Sequence, residues 1–537
     1  MSAAAASTRA REDFDVLIIG AGLSGIGAAC RLARERPRES FAILEARAAI
    51  GGTWDLFRYP GIRSDSDMYT LGYPFRPWDD DLSIAPGERI RSYIKETARE
   101  HGVDAKVRFG RRVRSARWSS REARWELEVA GQGEGVLERY SARFLLFCTG
   151  YYRYEEGFTP ELPGLSSYGG TVIHPQHWPE DLDCTGKRVI VVGSGATAVT
   201  LVPALAQRGA QVTMLQRTPT YILSLPERDP IARRLRARLP RGLAYRLVRA
   251  KNILLTIGSF QLARRRPALA KALIRKGLER QLPAGFPIDE HFRPPYQPWD
   301  QRLCLVPDGD LFRALADGSA QVVTDRIERF TDKGILLRSG RHLEAELVVL
   351  ATGLNLLALG GVELYRDGER LELSKQLAYR GMMFADVPNA AFIVGYTNAS
   401  WTLKSDLVAS FVCRLLARME RGRDAICYPH NEDPALAREP LIDLAAGYVQ
   451  RAIDRFPKQG ARPPWRLRQN YLRDLIDFRR FDFADGVLRL QKSGSPLPWA
   501  LPADGAPEPA AFEQPESPPA ARVEQPLGSA ALRSHAA

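Results

Sequence analysis

Six cysteines in a 537-residue chain are few, and Cys30, Cys148, Cys184, Cys304, Cys413 and Cys427 form no C-x-x-C pair. Scattered thiols of this kind fit a reducing compartment, and they exclude a disulfide framework and a dithiol redox centre. Histidine is sparse as well, with seven in all, and only His174 and His177 in HPQHWPED stand close together. They lack the further Cys, His or carboxylate spacing of a zinc site, so no metal is expected. Long apolar runs are missing too. The longest, about Leu347 to Val362, is interrupted by Thr352, Gly353 and Asn355 and falls short of the roughly 20 residues of a membrane-spanning helix. No apolar stretch of signal-peptide type follows Met1–Arg11, and a cytoplasmic protein is expected.

Acidic residues are nearly absent from one segment. Between Arg228 and Arg280, sixteen Lys or Arg meet only Asp229 and Glu279. That surplus of fourteen accounts for the whole net charge of +13 and leaves the rest of the chain close to neutral. The Leu, Ile and Ala spacing of the segment predicts two or more helices, broken at Pro240 and Pro267. Three readings stand for it: a solvated face, an amphipathic membrane-surface patch that gathers lipophilic substrates, or a nucleic-acid surface. The last lacks aromatic interleaving and any nucleic-acid module, so no nucleic-acid partner is expected. The second would place a cytoplasmic protein peripherally at the inner face of the membrane. Gly494 to Ala537, with nine prolines, reads as a disordered tail. The chain length implies two or three domains.

One short pattern is present twice. In DFDVLIIGAGLSGIGAACRLARERP, the apolar run Val16–Ile19 predicts a buried parallel strand that leads into Gly20-x-Gly22-x-x-Gly25 and then a helix ended by Pro37. Glycines at these positions allow a tight turn, close approach of backbone to a pyrophosphate, and close packing of helix on strand. The next strand, FAILE, ends at Glu45, 20 residues after Gly25, where an acid can accept hydrogen bonds from a ribose. The second copy, KRVIVVGSGATAVTLVPALAQRGAQVTMLQRTP, has the strand Val189–Val192, the turn Gly193-x-Gly195-x-x-Ala198, a helix over Thr197–Gln207 and a strand over Gln211–Gln216. It ends in Arg217-Thr218 with no acid, a pair suited to the 2′-phosphate of NADPH. The first site is thus shaped for FAD and the second for NADPH. A flavin reduced by a nicotinamide passes its electrons to a disulfide or to oxygen, and without a dithiol the expected acceptor is oxygen.

GGTWDLFRYPGIRSDSDMYT (Gly51–Thr70) resembles the flavin-proximal loop of Baeyer–Villiger monooxygenases. Tyr168-x-Gly170-x-x-x-His174-x-x-x-Trp178-Pro179 resembles that family's fingerprint, with Tyr in place of Phe. QPWDQRLCLVPDGDLF (Gln297–Phe312) and GYTNASWTLKSDL (Gly395–Leu407) are similar to its ethionamide-activating branch and that branch's long-chain alkane and ketone relatives, and the likeness spans roughly residues 12–490. The resemblance implies an α/β fold with two Rossmann-like dinucleotide-binding domains, for FAD and NADPH, and a helical insertion. The FAD domain is expected over 12–155 and 354–490, the NADPH domain over 165–225 and 297–353, the basic helical insertion over 226–296 and the tail over 494–537.

The same resemblance implies insertion of one oxygen atom beside a ketone carbonyl by a C4a-peroxyflavin, with O2 and a lipophilic small molecule as substrates. Sulfide or thioamide oxygenation and long-chain alkane hydroxylation are the alternatives. Catalytic roles carry over to Arg302, as the fixed cation, to Asp65, which modulates it, and to His174, which couples the two nucleotide domains. For FAD the match gives Gly20, Gly22, Ser24, Gly25, Glu45, Thr53, Trp54, Asp55, Asp65 and Val113. For NADPH it gives Arg63, Ser64, Gly193, Ser194, Gly195, Ala196, Thr197, Ala198, Val199, Arg217 and Thr218. His177 has no counterpart and is expected at the surface or in packing, and Trp401 lies near the flavin or in the core. Many family members carry Lys-Arg where this chain has Gln301-Arg302, which shifts NADPH selectivity onto Arg217 and Thr218.

Overall fold

Val16, Leu17, Ile18 and Ile19 are apolar at consecutive positions, which suits a strand covered on both faces, and all four are buried. They are the inner half of strand β1 (Glu12–Ile19). The strand begins four residues before the apolar run, because Glu12, Asp13 and Phe14 pair with Tyr140, Ser141 and Ala142. The computed structural model describes residues 11–131, 133 and 135–499, so most of the Pro/Ala-rich tail expected over 494–537 lies outside the described residues.

From β1 the chain enters helix α1 (Leu23–Glu35) and strand β2 (Phe41–Glu45). Helix α2 (Gly87–Glu100) leads to β3 (Val107–Phe109) and then to β4 (Arg112–Ser119), β5 (Arg124–Ala130) and β6 (Leu137–Phe147). A second sheet follows, with β7 (Thr171–Ile173), β8 (Arg188–Val192), helix α3 (Ala196–Gln207) and β9 (Gln211–Gln216). Three basic helices interrupt it: α4 (Pro230–Arg238), α5 (Arg241–Arg265) and α6 (Pro267–Glu279). Strands β10 (Ala320–Thr324) and β11 (Leu347–Leu350) complete the second sheet. Strands β12 (Glu363–Arg366), β13 (Glu369–Leu371) and β14 (Ala390–Phe392) then rejoin the first, and the long helix α7 (Trp401–Gly422) packs on α1.

The first sheet runs β13-β12-β4-β5-β6-β1-β2-β3, with β14 alongside the far end of β6. Around β1 it is parallel, β1 lying between β2 and β6. The second sheet is parallel throughout, in the order β10-β9-β8-β11-β7. Two connections cross between the sheets, and they pair with each other antiparallel, Gly157 opposite Leu354 and Tyr152 opposite Leu356. Among the described residues up to Pro496 the contacts form one compact unit, so the domain limits expected from the sequence are not marked by gaps in packing.

The basic insertion breaks at Pro240 and Pro267 as its spacing predicts, and Asp229 caps its first helix by accepting from the backbone N–H groups of Ile231 and Ala232. One stripe of α5, including Tyr245, Val248, Arg249 and Asn252, is buried against the segment 67–72. Arg249 donates through Nη1 to the carbonyls of Tyr69 at 2.6 Å and Gly72 at 3.0 Å. Asn252 donates to Asp67 at 2.7 Å, and burial raises the pKa of that carboxyl.

Candidate active site

The two glycine turns are built alike. Gly20 has φ +104°, and a Cβ there would lie 2.7 Å from the carbonyl oxygen of Cys148, at the exit of β6. Gly193 has φ +141°, and its Cβ would lie 2.4 Å from the carbonyl oxygen of Ala351, at the exit of β11. Only glycine fits where the backbone turns this way under a neighbouring strand end. Each also donates its N–H at 2.8 Å to the strand beside it, Gly20 to Leu44 and Gly193 to Leu215. Gly25 is closed off for another reason, since a Cβ would meet the Gly20 carbonyl oxygen at 1.9 Å. After each turn a helix starts from a glycine N-cap with no side-chain cap, Gly22 for α1 and Gly195 for α3, leaving N–H groups aimed at an anion.

Both turns open on one cavity of about 1250 Å³, larger than the roughly 300–1,000 Å³ of a single-ligand pocket. Of the sequence-predicted residues, Gly20, Gly22, Ser24, Glu45, Thr53, Trp54, Arg63, Ser64, Asp65, Val113, Gly193, Ser194, Gly195, Ala196, Thr197, Arg217, Thr218 and Arg302 line it. Gly25, Ala198 and Val199 pack behind it and are buried. Asp55 is turned away, because Arg47 and Arg58 each hold its carboxylate at 2.9 Å. A third arginine, Arg91, lies 3.8 Å from the same carboxylate.

Near the first turn, Glu45 is buried and accepts from the backbone N–H of Ala21 at 2.6 Å and of Arg47 at 2.8 Å. Burial raises its pKa despite those two donors. Thr53 shares a 3.1 Å hydrogen bond with the Tyr154 hydroxyl, whose pKa burial pushes up to about 12. Trp401 is half-buried on the cavity wall, its indole N–H donating to the Ser24 hydroxyl at 2.7 Å, and it also packs against the core beneath the first turn.

Between the turns, Arg302 lies 3.8 Å from Asp65, each side chain about one-third exposed into the cavity, and its Nε donates to the Thr397 carbonyl at 3.3 Å. Burial works against the guanidinium's charge, but Asp65 and the nearby tyrosines outweigh it and raise the pKa further. Arg63 pairs with Asp310 through Nη2 at 3.3 Å, and its Nε has no hydrogen-bond partner among the described residues. The Ser64 hydroxyl accepts from Ser66 N–H at 2.9 Å.

At the second turn, Ser194 donates to the Thr218 carbonyl at 2.8 Å. Arg217 is exposed and has no ion partner among the described residues. Because Gln216 pairs with Thr324, the loop after β10 brings a second arginine, Arg326, beside it on the cavity rim, followed by Arg338. Gln301, which stands where many family members have lysine, also lines the cavity.

His174 is not on the cavity wall. It sits under the two crossing connections, with Nε2 3.1 Å from the Gly353 carbonyl and Nδ1 3.2 Å from the Gln176 N–H, contacts that set Nε2 as the protonated nitrogen. Burial lowers its pKa. His177 is exposed, its ring against the Glu155 carbonyl at 2.9 Å. Among the described residues no group of three or more His, Cys, Asp or Glu could hold a metal, and all six cysteines are free and buried. Sequence reasoning missed Tyr151 and Tyr152, which follow the exit of β6, and Tyr448 and Arg451 from the C-terminal part, all of them on the cavity wall. The first two follow the paired glycine return directly and were open to inspection. The last two carry no local pattern.

A model of the family described as flavin-binding monooxygenase-like matches residues 14–229. The FAD-containing monooxygenase EthA of Mycobacterium tuberculosis is 51% identical over 488 residues, covering 90% of this chain and 99% of that protein. The chain belongs to the flavin-binding monooxygenase-like family. The probable FAD-binding monooxygenase AlmA of Acinetobacter baylyi is 47% identical over 484 residues, 90% of this chain and 97% of that one. Two solved structures share the fold: an oxidized steroid monooxygenase bound to NADP, with 20% identity and a TM-score of 0.69 over 89% of this chain and all of that one, and an open cyclohexanone monooxygenase, with 20% identity and 0.65 over 78% and 90%. The two-nucleotide α/β fold and the flavin monooxygenase class expected from the sequence therefore hold. A monooxygenase of this family takes O2 and a small molecule. Among the described residues no helix is long and apolar enough to cross a membrane.

Proposed function

We propose that this flavin-binding monooxygenase uses FAD and NADPH to convert lipophilic ketones to esters or lactones. The observation that carries the proposal is the Arg302–Asp65 pair, 3.8 Å apart between the two glycine turns of one cavity. The residues present fit both cofactors. A Cβ on Gly20 or Gly193 would fill the turns, both helix N-termini point uncapped N–H groups at the cavity, and Arg47 and Arg63 have buried Nε atoms without partners among the described residues. Gly20, Gly22, Glu45 and Thr53 would hold FAD, and Gly193, Gly195, Arg217 and Thr218 would hold NADPH. The flavin, once bound, supplies electron transfer from the nicotinamide and activation of oxygen.

Within that frame, negative charge grows on the ketone oxygen as the new carbon–oxygen bond forms. Arg302 is a fixed cation beside it, positioned before the reaction and therefore free of reorganisation cost. Asp65 orients the guanidinium and keeps it charged. Leu354, Leu357, Leu359 and Val362 form an apolar wall that suits a hydrocarbon chain and keeps water away. His174, bonded to Gly353 beneath both connections, keeps the two sheets in register while substrates exchange. The basic segment Arg228–Arg280 is the surface through which a cytoplasmic enzyme of this kind would meet the inner face of a membrane.

The test is oxidation of a medium-to-long methyl ketone with NADPH and 18O-labelled oxygen, comparing the wild type with Arg302→Ala. The wild type is expected to give an ester with one labelled atom. In the variant, ester formation is expected to fall by about 10²–10³-fold, while NADPH oxidation continues and yields hydrogen peroxide. Undiminished ketone oxidation in the variant overturns the role of Arg302. Loss of ketone oxidation with sulfide oxidation intact separates ester formation from sulfur oxygenation, which builds up no such anion.

A further inference from the structure

Eleven large apolar side chains stand exposed among the described residues, and eight of them, from Ile231 to Leu273, lie on α4, α5 and α6. An isolated exposed leucine needs no explanation, but a concentration on one element does. On α5, Leu243, Leu247 and Leu254 recur with Ala250 at spacings of four, three and four, which is one stripe of a helix. That stripe is opposite the buried one of Tyr245, Val248, Arg249 and Asn252. On α6, Leu269 and Leu273 are likewise exposed and four residues apart.

Cations border the leucines. Arg236, Arg241, Lys251, Arg264 and Arg275 are engaged with carboxylates of Asp81, Asp79, Asp229, Asp300 and Asp289. Arg233, Arg234 and Arg238 on α4, Arg246 and Arg265 on α5, and Lys271 and Lys276 on α6 have no ion partner among the described residues. The surface therefore presents exposed leucines edged with uncompensated positive charge.

We infer that the outer face of α4–α6 docks on an anionic lipid surface, with Leu243, Leu247, Leu254, Leu269 and Leu273 inserted among the acyl chains and the free arginines and lysines on the headgroups. Charge complementarity selects this occupant. A second copy of the chain would bring like charges together, and a nucleic acid would leave the leucines facing phosphate. An interfacial helix of this type buries its apolar face about 5–10 Å deep while its cations remain at headgroup level.

The other side of the same helix packs on a segment that lines the cavity. Ile253 and Ile257 of α5 pack against Tyr396, Leu403 and Ala399, and Phe260 stacks edge-on against Trp299 at 5.4 Å. Ala399, Trp401, Gln301 and Arg302, next to those contacts, line the cavity. One helix thus separates the lipid-facing stripe from the site where a lipophilic substrate reacts. The inference rests on the proposed function for the kind of substrate delivered, and lipid binding itself is read without turnover.

The experiment is flotation of the full-length holoenzyme with vesicles of pure phosphatidylcholine and vesicles containing phosphatidylglycerol, over a range of salt. The wild type is expected to float with the phosphatidylglycerol vesicles at low salt and not with phosphatidylcholine. Two variants follow, L243E/L247E/L254E and R233E/R234E/R238E, both at exposed positions, with unfolding checked by flavin content and circular dichroism. Each is expected to bind about tenfold more weakly or worse, and both are expected to retain turnover of a short, water-soluble ketone. Failure of the wild type to bind at low salt overturns the inference, as does wild-type binding by the leucine variant. So does concentration-dependent dimerisation that the leucine variant abolishes, or tight binding of RNA or DNA that depends on the arginines and not on the leucines. Vesicle binding without any ester formation would leave the docking standing and refute the proposed reaction alone.

Discussion

Gly157→Ala should damage the protein through a single neighbour, and the damage should be reversible. Gly157 is not in the left-handed backbone region, so alanine is acceptable there in conformation. Its Cβ, however, would meet the His174 ring at 1.9–2.4 Å. The ring would have to leave its place and give up its hydrogen bonds with Gly353 and Gln176. Two such bonds contribute about 2 kcal/mol, and overpacking adds about 1–3 kcal/mol, so a loss of roughly 3–5 kcal/mol is expected. With about 2.1 cal/mol/K of unfolding entropy per residue over some 490 residues, each kcal/mol moves Tm by only about 1 °C if the chain melts as one unit. Gly157→Ala should therefore melt about 3–5 °C below the wild type by scanning calorimetry. His174→Ala alone loses the same hydrogen bonds without a clash and should fall by about 2 °C. The double variant should melt with His174→Ala and above Gly157→Ala, because the obstacle is gone. If the double variant instead melts below both, as the sum of independent losses, the steric argument is wrong.

Arg217→Ala and Arg326→Ala should each raise KM for NADPH by about tenfold or more, the scale of a charge-assisted hydrogen bond, and leave KM for NADH nearly unchanged. Equal effects on both nucleotides in steady-state kinetics would dismiss 2′-phosphate recognition. Asp474→Asn should cost about 3–5 kcal/mol, because it strips the counter-charge 2.8 Å from Lys404, whose side chain is 1% exposed; an unchanged denaturation midpoint would contradict this. His174 has a pKa lowered by burial, so the unfolded chain takes up its proton first, and stability present above about pH 6.5 is lost as pH falls through that value toward the folded pKa. His174→Gln should flatten that part of the stability profile, and an unaltered slope between about pH 5 and 7 would show that other groups set it.

The parts legible in sequence are those where one local pattern has one structural solution. Gly20-x-Gly22-x-x-Gly25 and Gly193-x-Gly195 announce strand, turn and helix because few other residues tolerate those turns, and the runs ending at Cys148 and Ala351 are legible as their closing strands. Arg302 and Asp65 meet although 237 positions separate them, and only the motifs around each foretold it. Asp55 lies off the cavity wall with its carboxylate drawn to Arg47, Arg58 and Arg91, a competition among side chains that no spacing reveals. Arg326 was invisible for a related reason: it acquires meaning only when the pairing of Gln216 with Thr324 puts it next to Arg217. Tyr448 and Arg451 reach the cavity from a part of the chain that joins the rest only through tertiary packing.

The way β14 fills in beside β6 bears on how this protein is made. Leu145, Leu146 and Phe147 pair on one side with Leu17, Ile18 and Ile19, and on the other with Ala390, Ala391 and Phe392. During synthesis at about 5–20 residues per second, the partner strand emerges some 240 residues later, a delay of roughly 12–50 s. Throughout that interval a strand edge made of leucine and phenylalanine is available to the wrong chain. The second sheet, whose strands all fall between residues 171 and 350, can complete itself meanwhile. Overexpression should therefore be limited by aggregation of nascent chains stalled before residue 390, and slower translation or a lower growth temperature should raise the soluble yield.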